Sequence, residues 1–561
     1  MAADTTHVVG NTYRALVPAG IRRRVSTQLS KDARTKIKRR LAVAAGPADR
    51  YRTERIHRRL QRTAEGAEAV RLLPGGRLAQ VHSGLTPLEV LRHNLELVAR
   101  TLEAAGVDWF AVPAVNDRHA ALAVDARDRV RVYRALAAAF REAPGTVEQV
   151  LPAPRGGSKP RYGADVRFGR LDGAKVIRVG WLRSDPSGGL VIGTSVAVEI
   201  EFWTRRGDRL TGPRHNRVMR TLSVQSPPTT APLGVFTQYA GTADDGVRLR
   251  TRAEFTVRRA DEVDFAIDAV CLDAPGDDPE LLRATLRSLH QYAPWTRRIH
   301  LLTTREAPDW LAEHPALRVH QVELPAGHRP EDVRAGLHLL PGLAEHFVLF
   351  PAGAMLGQRA KPHLFFTPFG HLRLFTAEPD GSESPDAPWR AVLEAEFGRT
   401  VAGTVRPGPH ARLRSLSAGP ADRLPPGAPR TDAERSGLAA DPHDCLHQYW
   451  AYAEGRGLPG AARLLALRAD APFAAARLAR MLARRDAALL QFGGLNDPGT
   501  PAAAAGAVRE LLRTYYPVPS PYERTERSAE GAAGPGWSLA PGGSVAPGGS
   551  VGSVGQEVTG E

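Results

Sequence analysis

The chain is short of cysteine, of long apolar runs and, over its first eighty residues, of acidic residues. Two cysteines, Cys271 and Cys445, stand among 561 residues. That excludes a disulfide framework and a cysteine-rich zinc site, and it points to a reducing, cytoplasmic setting. No stretch of about 18 apolar residues occurs, and the N-terminus lacks a charged segment followed by an apolar one, so neither a membrane span nor a secretory signal is expected. Helix-turn-helix, zinc-finger and aromatic RNA-reading motifs are missing too, and without them a formal charge of +15 does not indicate nucleic acid as a partner.

Most of the positive charge sits between Arg14 and Arg77, where Lys and Arg exceed Asp and Glu by about a dozen. In RRRVSTQLSKDARTKIKRRL, Val25 and Leu29, and again Ile37 and Leu41, lie four apart among dense positive charge. This spacing suits a basic amphipathic helix, one that rests on an anionic membrane surface at the inner face or forms a homo-oligomer contact. Residues 1–78 therefore read as a basic helical N-terminal segment.

Residues 79–262 read as an α+β accessory domain, with a helix near Leu85 to Ala105 and strands at Trp109 to Val112 and Val196 to Trp203; the last alternates Val, Val, Ile, Phe with Ala, Glu, Glu. From residue 263 to 525 the pattern changes to α/β. Apolar strands at 265–271, 298–303 and 346–350 alternate with amphipathic helices, the signature of βαβ units and a mainly parallel sheet. A Pro, Gly and Arg-rich stretch at 403–442 reads as a loop-rich insertion, followed by Ala- and Arg-rich helices over 446–490 and 502–516. The Gly/Pro/Ser repeat over 526–561 cannot bury enough apolar surface to fold and is expected to be disordered.

Five ordered matches, one of them made of two stretches, carry a resemblance. AIDAVCLDAPGDDPE (266–280), LLRATLRSLHQYAPWTRRIHLLTTREAPDWL (281–311) with LLPGLAEHFVLFPAGAMLGQRAKPHLFFTPFG (339–370), DCLHQYWAYAEGRGLPG (444–460), and GGLNDPGTPAAAAGAVRELLRTYYPVPSPYER (493–524) resemble the four conserved regions of the Stealth family, and VAVEIEFWTRRGDRLTGPRHNRV (196–218) is similar to the accessory domain of its actinobacterial members. The resemblance implies an enzyme that moves a sugar 1-phosphate from a nucleotide sugar to a glycan acceptor in exopolysaccharide or capsule synthesis, with a divalent cation, magnesium or manganese. It also implies roles: Asp268 and His447 as catalytic groups, Arg283, Arg287, Arg298, Arg456 and Asn496 as substrate contacts, and Asp278 and Asp497 as metal ligands.

The same motifs are eroded. Where the family writes Asn-Asp-Asp at a strand end, this chain has Pro351, Ala352 and Gly353; where it writes Trp-Val-Asp-Gly, the acidic position is Pro275; and Arg329 to Arg334 replaces a run with Asn, His and Glu. Each retained residue also has a local reading. Arg283 and Arg287 are four apart on one helical face, Asp278 precedes Pro279 as an N-cap would, Asn496-Asp497-Pro-Gly is a turn sequence, and His447 lies among aromatic residues on a packed helix. Three readings follow: a transferase using substitute acids such as Asp273, Asp277 or Glu331; a pseudoenzyme that binds or scaffolds an intact homologue; and an ordinary nucleotide-sugar glycosyltransferase. The third lacks its Asp-x-Asp, since Asp125 to Asp128 has the wrong spacing and position. Ligands of open parallel sheets bind beyond the carboxyl ends of the strands, so Asp268, Asp278 and Asp497 are expected to converge there, near residues 351–353.

Overall fold

A computed structural model describes Arg58 and residues 70–524, apart from 74–76, 116–118, 144, 152–160, 164–167, 172, 194–195, 217, 241–246, 258, 275, 325–327, 378–386, 402, 422, 425–433 and 435–438. The basic helix expected around residues 22–41, Pro275 and the tail over 526–561 lie outside the described residues. The described end of the front segment is not helical: β1 (Val70–Leu73) pairs antiparallel with β2 (Arg77–Val81).

The helix α1 (Pro87–Ala104) starts where Thr86 caps it, the Thr86 side chain accepting from the Glu89 N–H while Glu89 answers to the Thr86 N–H at 2.7 Å. It is followed by β3 (Trp109–Val112), β4 (Ala120–Asp125), β5 (Val176–Gly180), β6 (Arg183–Ser184) and β7 (Val198–Arg206). The expected strand at Val196 to Trp203 is thus present, shifted by two residues, and it lies inside an eight-stranded sheet, parallel to β4 and antiparallel to β5. Its alternation has an unexpected outcome. Glu199 and Glu201 are as buried as the apolar residues between them, and burial of a carboxylate demands a partner. Arg178 reaches Glu199 at 2.7 Å and Arg214 reaches Glu201 at 2.7 Å.

The C-terminal part is built on β8 (Ile267–Asp273), α2 (Pro279–Tyr292), β9 (Ile299–Thr303), β10 (Leu317–Gln321), β11 (His346–Phe350), β12 (Ala354–Leu356), β13 (His410–Leu413), α3 (Arg414–Ala421), α4 (Pro442–Ala453), β14 (Leu464–Arg468), α5 (Ala474–Arg484), β15 (Leu489–Gly493) and α6 (Ala502–Tyr515). One sheet has the order β10-β9-β8-β11-β13, its first four strands parallel and β13 antiparallel at the edge. The three strands expected at 265–271, 298–303 and 346–350 are adjacent in it. Both faces of these strands are covered, which is why they read as continuous apolar runs.

Two features differ from the expectation. The stretch at 403–442 supplies the edge strand β13 and the helix α3, because His410 to Leu413 can bury against β11 despite flanking Pro and Gly. The run over 446–490 is not all helix: Leu464–Arg468 and Leu489–Gly493 are strands of a second sheet ordered β12-β15-β14. Leucine and alanine favour helix in isolation, and here tertiary pairing overrides that preference. One hydrophobic cluster runs from Leu88 to Phe255 and also takes in Val518, while residues from Val263 onward supply the large cluster and a smaller one around Val270 and Phe347.

Candidate active site

A cavity of ≈ 380 Å³ opens at the carboxyl ends of β8, β9 and β11. Its floor is Leu272 and Asp273, Leu302, and Pro351 with Ala352. One wall is Ala274 with Gly276 to Asp278, where Gly276 takes φ +90°, a conformation that disfavours any side chain. The opposite wall is Gln491 to Asp497, and the far side is formed by Arg334, His410, Asp441 and Asp444. Asn496 ties two walls together, its Nδ2 donating to the Gly276 carbonyl at 2.8 Å.

Four acids of this cavity, Asp273, Asp278, Asp497 and Asp444, are held by arginines, while Asp277 accepts from the Ala274 N–H at 2.8 Å. Asp273 meets Arg305 through two hydrogen bonds, 2.8 and 2.6 Å, and takes a third from the Thr303 hydroxyl at 3.1 Å. Asp278 caps α2 by accepting from the Glu280 N–H at 2.9 Å, while its other oxygen accepts from Arg509 Nε at 2.7 Å. Asp497 lies 3.1 Å from Arg468. Asp444 is 1 % exposed and is hydrogen-bonded by Arg412, with Arg334 Nε at 3.4 Å and His410 Nε2 at 3.9 Å. Burial, then the charges of Arg412 and Arg334, outweigh Asp444 and lower His410 to a pKa of about 4, so at neutral pH it is an uncharged imidazole able to take a proton.

The expected site residues fall into two groups. Asp278, Asn496 and Asp497 border the cavity. Asp268 does not. It is the second residue of β8, at the amino end, about 17 Å of extended strand away from Asp273. There it accepts from Arg297 at 2.8 and 2.6 Å and from the Ala344 N–H at 2.8 Å. The convergence of three acids therefore reduces to two, since a strand has two ends and the local motif did not say which one Asp268 occupies. Arg298 precedes β9 at that same amino end, and Arg456 reaches Ser415 at 3.1 Å and Glu345, which precedes β11, at 3.5 Å. Arg287 binds Glu523 at 2.9 and 2.7 Å and the Tyr516 carbonyl at 2.9 Å, and Arg283 binds Glu280 and lies over the Trp310 ring, so both fasten α2 to its neighbours. His447 is buried, its Nε2 3.4 Å from the Leu413 carbonyl, with burial driving its pKa well below the usual value. It is a core histidine.

Sequence reasoning missed Asp441, Asp444, His410 and Arg334. Asp444 sits one turn before His447 on α4, and only folding shows which turn faces the cavity. His410 lay in the stretch read as a loop.

The family profile described as Stealth protein CR2, conserved region 2, matches residues 277–373. An exopolysaccharide phosphotransferase of Streptomyces coelicolor is 36% identical over 538 residues, 91% of this chain and 95% of that protein. The chain belongs to the Stealth family. A second Streptomyces coelicolor protein of that name is 33% identical over 92% of this Stealth chain and 97% of its own. The exopolysaccharide phosphotransferase CpsY of Mycobacterium tuberculosis is 26% identical over 80% of this chain and 91% of its own. Among the described residues no helix is long and apolar enough to cross a membrane.

Proposed function

We propose that the cavity binds a nucleotide sugar and that this Stealth protein transfers its sugar 1-phosphate to a hydroxyl of a cell-surface glycan. The observation that carries the reading is convergence. The stretch from Gly276 to Asp278, the strand end at 351–352, Asp444 of α4 and the loop at 493–497 are far apart in sequence, lie in segments that carry the family resemblance, and border one cavity.

In the reaction the glycan hydroxyl oxygen forms a bond to the phosphorus that carries the sugar, the bond from that phosphorus to the bridging oxygen breaks, and a nucleoside monophosphate leaves with the bridging oxygen. Such chemistry asks for positioning and charge neutralisation. His410 accepts the hydroxyl proton, and Asp444 sets the field around its ring. Arg334 faces the cavity and meets phosphoryl oxygens with a fixed charge.

The divalent cation that family resemblance implies fits this arrangement poorly. Asp273 spends both oxygens on Arg305, Asp278 both on Arg509 and the helix N-terminus, and Asp497 pairs with Arg468. Among the described residues no cluster of three or more His, Cys, Asp or Glu side chains is disposed to hold a metal. No step is therefore assigned to a metal.

The test is product analysis with the purified full chain, a panel of nucleotide sugars and a glycan acceptor. Acceptor-dependent release of a nucleoside monophosphate is expected, and release of a nucleoside diphosphate would mark an ordinary glycosyltransferase instead. His410→Gln should lower kcat by about 10²–10⁴-fold, the usual reach of a general base. Because the neutral imidazole is the active form and its pKa is about 4, kcat/KM should fall only as the pH drops toward 4, with no limb near 6.5. No turnover and no calorimetric affinity for any donor refutes the reading.

A further inference from the structure

Arginine is rarely buried without a carboxylate, because its charge leaves water without compensation. Arg183 of β6 is 6 % exposed. Its Nη1 donates to Asn94 Oδ1 at 2.6 Å, and Asn94 is itself fixed by donating to the Val196 carbonyl at 3.0 Å. Its Nε is buried with no hydrogen-bond partner. Burial alone pulls the guanidinium down to about 10, with no carboxylate acting against it.

Two histidines stand beside it. β2 and β6 run parallel with Gln80 opposite Arg183, and His82, two residues on, shares that face; its N–H donates to the Ser184 carbonyl at 2.9 Å. His93 comes from α1, next to Asn94. Burial and then the charge of Arg183 lower both imidazoles.

The neighbouring acids are otherwise engaged. Asp185 accepts from the Leu190 N–H at 2.6 Å and the Ser187 N–H at 2.8 Å, closing its own loop. Glu89 is spent on the Thr86 cap, and Glu96 lies 3.6 Å from Arg100. Glu89, Glu96 and Arg100 act on His93 and leave Arg183 without a counter-charge.

From the unpaired buried guanidinium, the fixed Asn94 and the two flanking imidazoles, we infer that Arg183, His82 and His93 form a binding site for a phosphoryl anion. The site is separate from the candidate active site, none of whose lining residues it shares. The charge of Arg183, uncompensated by a carboxylate, attracts the anion, and the partly exposed histidines supply donors that become cationic on binding. A phosphoryl group fits better than a carboxylate because donors arrive from three directions, from a strand, a second strand end and a helix. Its source is either free phosphate or the phosphate of a nucleoside monophosphate.

The experiment is calorimetry of the full chain with inorganic phosphate and, separately, with a nucleoside monophosphate, at pH 6 and pH 8. Saturable binding is expected, tighter at pH 6 than at pH 8, because the anion draws protons onto His82 and His93. Arg183→Met should weaken it tenfold or more and, without phosphate, should raise the melting temperature by removing an uncompensated charge. If that variant does not fold, the partly exposed pair His82→Gln with His93→Gln carries the test by abolishing the pH dependence. Tighter binding of the monophosphate than of phosphate identifies the nucleotide as the source, provided Arg183→Met removes the difference; equal affinities identify free phosphate. The inference is overturned by the absence of phosphate binding at about 10 mM, by pH-independent binding, or by affinity unchanged in Arg183→Met.

Discussion

Asp268→Asn separates a stabilising aspartate from a catalytic one. Asp268 is wholly buried; burial would raise its pKa, but His300, whose Nε2 lies 3.4 Å away, and hydrogen bonds from Arg297 and the Ala344 N–H outweigh it and hold the carboxyl at about 2, against 3.8 for an ordinary aspartate. At about 1.4 kcal/mol per pH unit the difference corresponds to roughly 2.4 kcal/mol. Arg297 is 40% exposed, so solvent screening reduces this to about 1–2 kcal/mol. The folded-state value is depressed, so the stabilisation is fully present above about pH 4 and is lost as the pH falls toward 2, with about half gone by pH 3. Urea unfolding followed by tryptophan fluorescence, at several pH values from 7 to 3, should show Asp268→Asn less stable than the native chain at pH 7 and the gap narrowing below pH 4. Turnover per folded molecule should be retained, since the residue lies at the strand end away from the cavity. A gap that stays constant with pH refutes the ion-pair argument. A tenfold loss of kcat in a fully folded variant refutes the placement of the active site at the carboxyl ends.

Gly353 has φ +77°, and a Cβ there would lie 2.0 Å from the Phe492 carbonyl oxygen. Gly353→Ala should therefore destabilise by more than about 2 kcal/mol in chemical denaturation, and restoring the family's Asn-Asp-Asp at 351–353 should give a poorly folded protein rather than a rescued metal site; a stable variant would show that β12 and β15 can separate. Arg287→Ala breaks a bidentate contact with Glu523, whose pKa burial would raise and Arg287 helps lower. A loss of about 2 kcal/mol and faster proteolysis after Tyr516 are expected, with unchanged donor affinity; weakened nucleotide-sugar binding in the folded variant would return Arg287 to the substrate site.

Alternation of apolar strands with amphipathic helices was enough to place β8, β9 and β11 in one parallel sheet, because strands covered on both faces leave an unbroken apolar record in the chain. Asp278 before Pro279 announced the cap of α2 for an equally local reason, since an N-cap acts on the N–H two residues later. Family motifs marked the segments at 276–278 and 493–497 that border the cavity. Tertiary structure alone decided the rest. His410 joined the site because an edge strand formed by pairing with β11, and no property of its own neighbours specifies that partner. Asp268 and Asp273 lie on one strand and are both acidic, yet one faces Arg297 at the amino end and the other faces the cavity at the carboxyl end. Which acid meets solvent, which meets an arginine and which meets substrate depends on groups brought from tens or hundreds of residues away, and their fields exist only once the chain has folded.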